Sequence, residues 1–69
     1  MKVGDLVMFT NEGAYAKWFF GRIGKAETIT YGRDGKLYCR VRWIQPVSYH
    51  KMTTLCSDFP VDYFEIAND

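Results

Sequence analysis

The side chains of this sequence that carry reactive chemistry are few and scattered. His50 is the single histidine, set in a Tyr-His-Lys segment, and there is no second imidazole with which it could form a metal-binding or acid–base pair. The two cysteines, Cys39 and Cys56, are separated by 16 intervening residues, and no Cys-x-x-Cys pair occurs. A zinc site needs four ligands from Cys, His or carboxylate, which this inventory does not supply at the usual spacing. No nucleophile elbow, phosphate loop or dinucleotide fingerprint is present. The acids are dispersed, and Asp5, Asp34 and Asp58 fall at turn positions where a carboxylate bonds backbone instead of substrate. The expectation is a non-enzyme with no catalytic residue, metal or cofactor.

Binding chemistry is richer. Tyr38, Arg40 and Arg42 alternate along one stretch, and Arg22 on a neighbouring segment is placed to join them. Aromatic rings interleaved with guanidinium groups suit nucleic acid, with rings stacking on bases and arginines on phosphates. Between Lys17 and Arg42 lie seven basic residues against two acids, whereas after Lys51 the chain has four acids and no base. The net charge is only +1, far from the strongly basic balance of a dedicated nucleic-acid binder. An acidic protein partner would use the same stripe, and any exposed strand face needs long polar side chains in any case. A second set is Tyr15, Trp18 and Tyr49, aromatics in two loops. If the loops meet, these rings make a peptide groove or a cage for a cation; if not, they seal the ends of the fold.

The element that must position these groups is Lys36–Trp43, K-L-Y-C-R-V-R-W. Leu37, Cys39, Val41 and Trp43 alternate with Tyr38, Arg40 and Arg42, the period of a strand with one buried face. Tyr31-Gly-Arg-Asp-Gly35 precedes it and supplies the positive φ of a hairpin turn. Leu6–Phe9 reads as a first strand with Val7 and Phe9 inward. Thr10–Lys17 reads as a loop, with a short helix over Glu12–Ala16 as the alternative. Trp18–Thr30 reads as a long second strand bent at Gly21 and Gly24. Pro46 removes a ladder donor, so Ile44–Lys51 is expected to be a second exposed loop. Met52–Ser57 resumes as a strand and Asp58-Phe59-Pro60 breaks it. Val61–Tyr63 is the length of a 3₁₀ turn, Phe64–Ile66 a last strand, and 67–69 should fray.

Five strands, one bent hairpin and a turn before the last strand predict an all-β fold, a small five-stranded SH3-like barrel forming one domain over residues 1–69. The core is expected to hold Phe9, Phe19 or Phe20, Cys39, Trp43 and Phe64. A domain this small buries only about 60% of its unfolded surface, so large rings must supply most of the burial.

The opening V-G-D-L-V (Val3 to Val7), G-x-I (Gly21 to Ile23), V-x-W (Val41 to Trp43) and the closing V-D-Y-F-E-I (Val61 to Ile66) resemble the small SH3-like barrel proteins of bacteriophages, with a layout shared by KOW and Tudor-type domains. In its N-terminal turn and closing strand the chain is also distantly similar to photosystem I subunit IV and the ferredoxin-thioredoxin reductase variable subunit. The loop A-Y-A-K-W-F-F is longer than that of a KOW motif. The resemblance implies the fold and a small binding or adaptor module, a phage or bacterial accessory protein docking on a protein partner. Nucleic-acid binding of KOW-like type is the alternative, and a structural subunit or homo-oligomer a further one. No apolar run reaches the roughly 20 residues of a membrane span, and the start lacks a signal peptide's apolar core. A cytoplasmic location is expected, the host cytoplasm for a phage protein, where a cross-strand Cys39–Cys56 disulfide is geometrically conceivable but disfavoured.

Overall fold

The computed structural model describes residues 1–67. Five strands, β1 (Leu6–Phe9), β2 (Ile23–Tyr31), β3 (Leu37–Tyr49), β4 (Met52–Pro60) and β5 (Phe64–Ile66), form one antiparallel sheet in the order β4-β3-β2-β1-β5. A one-turn helix, α1 (Ala16–Phe19), lies between β1 and β2, and a 3₁₀ turn, Val61–Tyr63, immediately precedes β5. The chain thus has the all-β arrangement of five strands, with a 3₁₀ turn before the last, that its pattern predicts. The short last strand returns to pair with the first, Phe9 opposite Phe64.

Alternation fixes the inside of the sheet. Val7, Phe9, Ala26, Cys39, Val41, Trp43, Val47, Phe59 and Phe64 are buried, joined by Phe19 from α1. Phe9 sits at the centre, with Phe19, Phe59, Tyr63 and Phe64 all within 5.8 Å of its ring centroid. Most of these contacts are tilted or edge-on, the geometry that the ring quadrupoles favour. The Trp43 indole stacks on Phe19 and gives its N–H to the Ser57 hydroxyl at 3.0 Å, so its polar atom enters the core with a partner. Leu37, expected inward at the start of β3, is 37% exposed, because it stands at the hairpin end where the core has run out.

Five local expectations are corrected. Trp18-Phe19-Phe20 is not strand: residues Ala16–Phe19 form the helical turn, and β2 begins only at Ile23. A helical turn separates successive side chains by about 100°. Phe19 can therefore drop into the core while Phe20 stays outside, 53% exposed. The helix lies later than the Glu12–Ala16 alternative. Of the two glycines, Gly21 takes φ 82° at the turn into β2, whereas the bulge in β2 falls at Glu27, between the pairs Ala26–Val41 and Thr28–Arg40.

Pro46 does not end β3. The strand runs on to Tyr49, and the ladder shifts register between Arg42–Cys56 and Val47–Thr54, so Pro46 lies in a stretch with no ladder bond to lose. The expected loop Ile44–Lys51 is instead the end of β3 and the turn of a β3–β4 hairpin closed by the pair Tyr49–Met52. Its two turn residues, His50 at φ 50° and Lys51 at φ 63°, are both left-handed, the signature of a type I′ turn made here without glycine. Asp58-Phe59-Pro60 likewise continues β4, and Phe59 belongs to the core. At the C-terminus the Ala67 N–H bonds the Leu6 carbonyl; the rest of the segment expected to fray, residues 68 and 69, lies outside the described residues.

Cys39 faces the core and Cys56 faces out opposite Arg42; both are free thiols. Burial pushes the Cys39 thiol up, with the nearby Asp58 carboxylate adding to the shift. Among the described residues, no helix is long and apolar enough to cross a membrane.

Candidate functional site

The outward face of β3 carries Tyr38, Arg40 and Arg42 as its alternation requires, but none of the three is uncommitted. Antiparallel pairing sets Asp58 directly across from Arg40, and the guanidinium forks onto it through Nε and one terminal nitrogen at 3.0 and 3.1 Å. Arg42 donates its Nε–H to Glu27 at 2.8 Å. Glu27 is the bulged residue of β2, so the irregularity that sequence assigns to glycine instead supplies the counter-ion. Each arginine is held further into its charged form by the hydrogen bond to its carboxylate. Both pairs are exposed, so their contribution to stability is small and screened by salt. Their effect is local: the stripe's positive charge is cancelled where it arises.

Tyr38 is tied down in the same way. Its hydroxyl donates to Asp34 at 2.8 Å, and the other Asp34 oxygen accepts the Lys36 N–H at 3.0 Å. The Lys36 N–H first, and the Tyr38 hydroxyl second, hold the Asp34 carboxyl below its ordinary value; the same bond raises the Tyr38 phenol. Gly32 lets the ring lie against the hairpin, since a side chain there would meet the Tyr38 ring within 2.5 Å. Thr28, Thr30, Arg33 and these groups line a shallow open depression of about 450 Å³ that holds guanidinium and carboxylate groups together. Arg22 does not join the stripe. It precedes β2 and lines a separate groove with Gly21, Ile23, Ile44 and Gln45, beyond the Lys25–Arg42 pair and at the opposite end of the sheet from Tyr38.

The loop aromatics do meet. The helical turn α1 and the end of β3 bring Tyr15, Trp18 and Tyr49 into one cluster. Trp18 stands edge-on to Tyr49 at 4.8 Å, and Tyr15 lies 6.1 Å from Tyr49 and 6.5 Å from Trp18. His50, absent from the sequence-derived set, completes it: its ring is 4.6 Å from Trp18 and 4.3 Å from Tyr49. Lys17 adds a cation, its ammonium 4.4 Å from the centre of the indole. The sequence signal for Lys17 and His50 was adjacency alone, since each neighbours a selected aromatic.

The cluster is half anchored and half open. Tyr15 packs edge-on against buried Phe59 at 5.2 Å, and Tyr49 lies 5.4 Å from Phe19. Desolvation, with the Tyr15 phenol beside it, raises the Tyr49 phenol. Yet Tyr15 is 38% exposed, Trp18 and Tyr49 are only partly buried, and Lys17, His50 and Lys51 are exposed. The rings therefore both seal one end of the fold and present surface there. As a cage for an external cation the arrangement is poor, because the chain's own Lys17 already sits on the indole.

Comparison with protein-family models, curated proteins and solved structures returned no match.

Proposed function

We propose that the chain is a non-enzymatic binding module that docks on a protein partner through the patch formed by Tyr15, Trp18, Tyr49 and His50. The observation that carries this reading is the convergence of four rings from two separate chain segments onto one end of the domain. Partly exposed aromatics on a rigid base are efficient contact groups, because they bring area with little rotamer entropy to lose. The turn strengthens the argument. Two consecutive non-glycine residues in left-handed conformation carry backbone strain, and here they hold His50 against Trp18. An accessory role of phage or bacterial type follows from the sequence resemblance.

The nucleic-acid reading is less well supported, since Arg40 and Arg42 face carboxylates in place of open solvent. Two double variants separate the readings. A partner identified by pull-down and then titrated in purified form should lose binding to Tyr15→Ala/Trp18→Ala and keep it with Arg40→Ala/Arg42→Ala. In parallel, short duplex DNA, single-stranded DNA and RNA should leave the Tyr38, Arg40 and Arg42 amides unshifted even at low salt. Shifts there that weaken steeply with salt would hand the function to the alternative.

A further inference from the structure

Two lysines lie in the segments that carry the ring patch. Lys17 lies on the indole, and Lys51 follows His50 in the β3–β4 turn. Neither lysine makes an ion pair among the described residues, whereas the two arginines of the central strand are both paired. The segments that build the patch, residues 10–19 and 47–53, contain one acid, Glu12, which is exposed and also without an ion pair among the described residues. The rings and the Lys17 ammonium thus share one surface, and Lys51 is the next residue after His50 in the turn beside them.

Position matters as much as sign. The Lys17 ammonium is held by the π-face of Trp18, so its placement beside the apolar anchor is partly set before any partner arrives. Lys51 is placed by a two-residue turn, the shortest hairpin connection, instead of by a long loop. A cationic ligand would meet repulsion on approach. A neutral apolar one would leave two ammonium groups at its rim without partners. A ligand with carboxylates flanking an apolar side chain satisfies both parts of the surface.

Resting on the docking function proposed above, we infer that the partner presents an acidic peptide segment with a single aromatic or large aliphatic anchor. The anchor contacts Trp18 and Tyr49, and its flanking carboxylates meet Lys17 and Lys51. Specificity then has two separable components, ring contact for affinity and lysine contact for sign discrimination.

The test uses three synthetic peptides of equal length, each with one central Trp, flanked by Glu, by Gln or by Lys. Each is titrated into the isotope-labelled full chain and followed by amide shifts at low and moderate salt. The Glu peptide is expected to shift residues 15–18 and 49–51 and to bind about tenfold more tightly than the Gln peptide at low salt, the advantage shrinking as salt rises. Lys17→Glu/Lys51→Glu, both at exposed positions and checked for an unchanged spectrum elsewhere, should reverse the order in favour of the Lys peptide. Equal binding of the Glu and Gln peptides, or an order unchanged in the double variant, overturns the charge inference and leaves the ring patch as a binding site. If no peptide shifts the patch at any salt concentration, the docking site itself is overturned.

Discussion

Phe19 and Trp43 lie nearly parallel, centroids 5.3 Å apart at 24°, and this contact joins the helical turn that carries Trp18 to the strand at the middle of the sheet. Phe19 is the only buried residue of its turn, so α1 is seated by one ring packed among Phe9, Trp43 and Phe59. The binding patch is built outward from that seat.

Removal of either ring therefore has different expected consequences. Trp43→Ala empties the core and also strands the Ser57 hydroxyl, and should lower stability by about 3–5 kcal/mol in a denaturant melt. Phe19→Ala should cost a similar amount and, in whatever fraction stays folded, disperse the Trp18 and Tyr49 amide shifts. A well-folded Trp43→Ala protein with an unchanged midpoint would contradict the packing described.

The type I′ turn is a place where the protein should be improvable. Lys51 at φ 63° carries a side chain where glycine is favoured. Lys51→Gly is expected to stabilise by about 1 kcal/mol, a rise in Tm of roughly 4–8 °C for a domain of this size. It should also weaken the Glu peptide's advantage. An unchanged or lower Tm would mean that the left-handed turn is not the solution conformation.

Two glycines separate steric from conformational cost. At Gly24 an added Cβ would stand 2.6 Å from a Val41 methyl and 2.7 Å from the Arg42 carbonyl oxygen, in the middle of the β2–β3 pair. Gly35 has open space around it but sits at φ 81°. Gly24→Ala should cost about 1–3 kcal/mol by overpacking, and Gly35→Ala about 1–2 kcal/mol through its backbone alone. Asn at position 35, which tolerates the left-handed region, should recover part of the second loss and would recover none of the first.

Asp34 and Tyr38 predict a pH signature at both ends of the scale. The Asp34 value is lowered in the folded protein, so its contribution is present above the usual carboxylate range and lost as pH falls through the lowered value. The Tyr38 value is raised, so its contribution is present below the usual phenol range and lost as pH climbs through the raised value. In a carboxyl-carbon NMR titration Tyr38→Phe should move the Asp34 midpoint upward, yet not fully to the ordinary value, because the Lys36 N–H still bonds it. No movement at all would show that the Tyr38–Asp34 bond does not form in solution.

Much of the fold was legible because it rests on local alternation. Val7 and Phe9 in β1, and Cys39, Val41 and Trp43 in β3, occupy every second position and lie inward as a strand's geometry demands. The hairpin glycine at 35 and the 3₁₀ turn before β5 were likewise readable from a few adjacent residues. The sequence left open whether Tyr15 and Trp18 meet Tyr49, and the structure brings them together.

Tertiary structure decided the rest, for two physical reasons. First, pairing partners are remote in sequence. In sequence the hairpin is basic and the tail acidic, but the antiparallel β3–β4 ladder places Asp58 against Arg40, and the β2 bulge turns Glu27 to Arg42. A run of charge along the chain is thereby cancelled in space. Second, local preference yields to packing. Three consecutive aromatics favour a strand, yet they lie in and just after a helical turn, from which Phe19 enters the core beside Phe9 and Trp43 while Phe20 remains outside. Pro46 favours a break, yet a register shift lets β3 pass through it and bring His50 to the rings. The sequence determined which residues alternate and where the chain turns tightly; the tertiary structure determined which charges survive pairing and which rings share a surface.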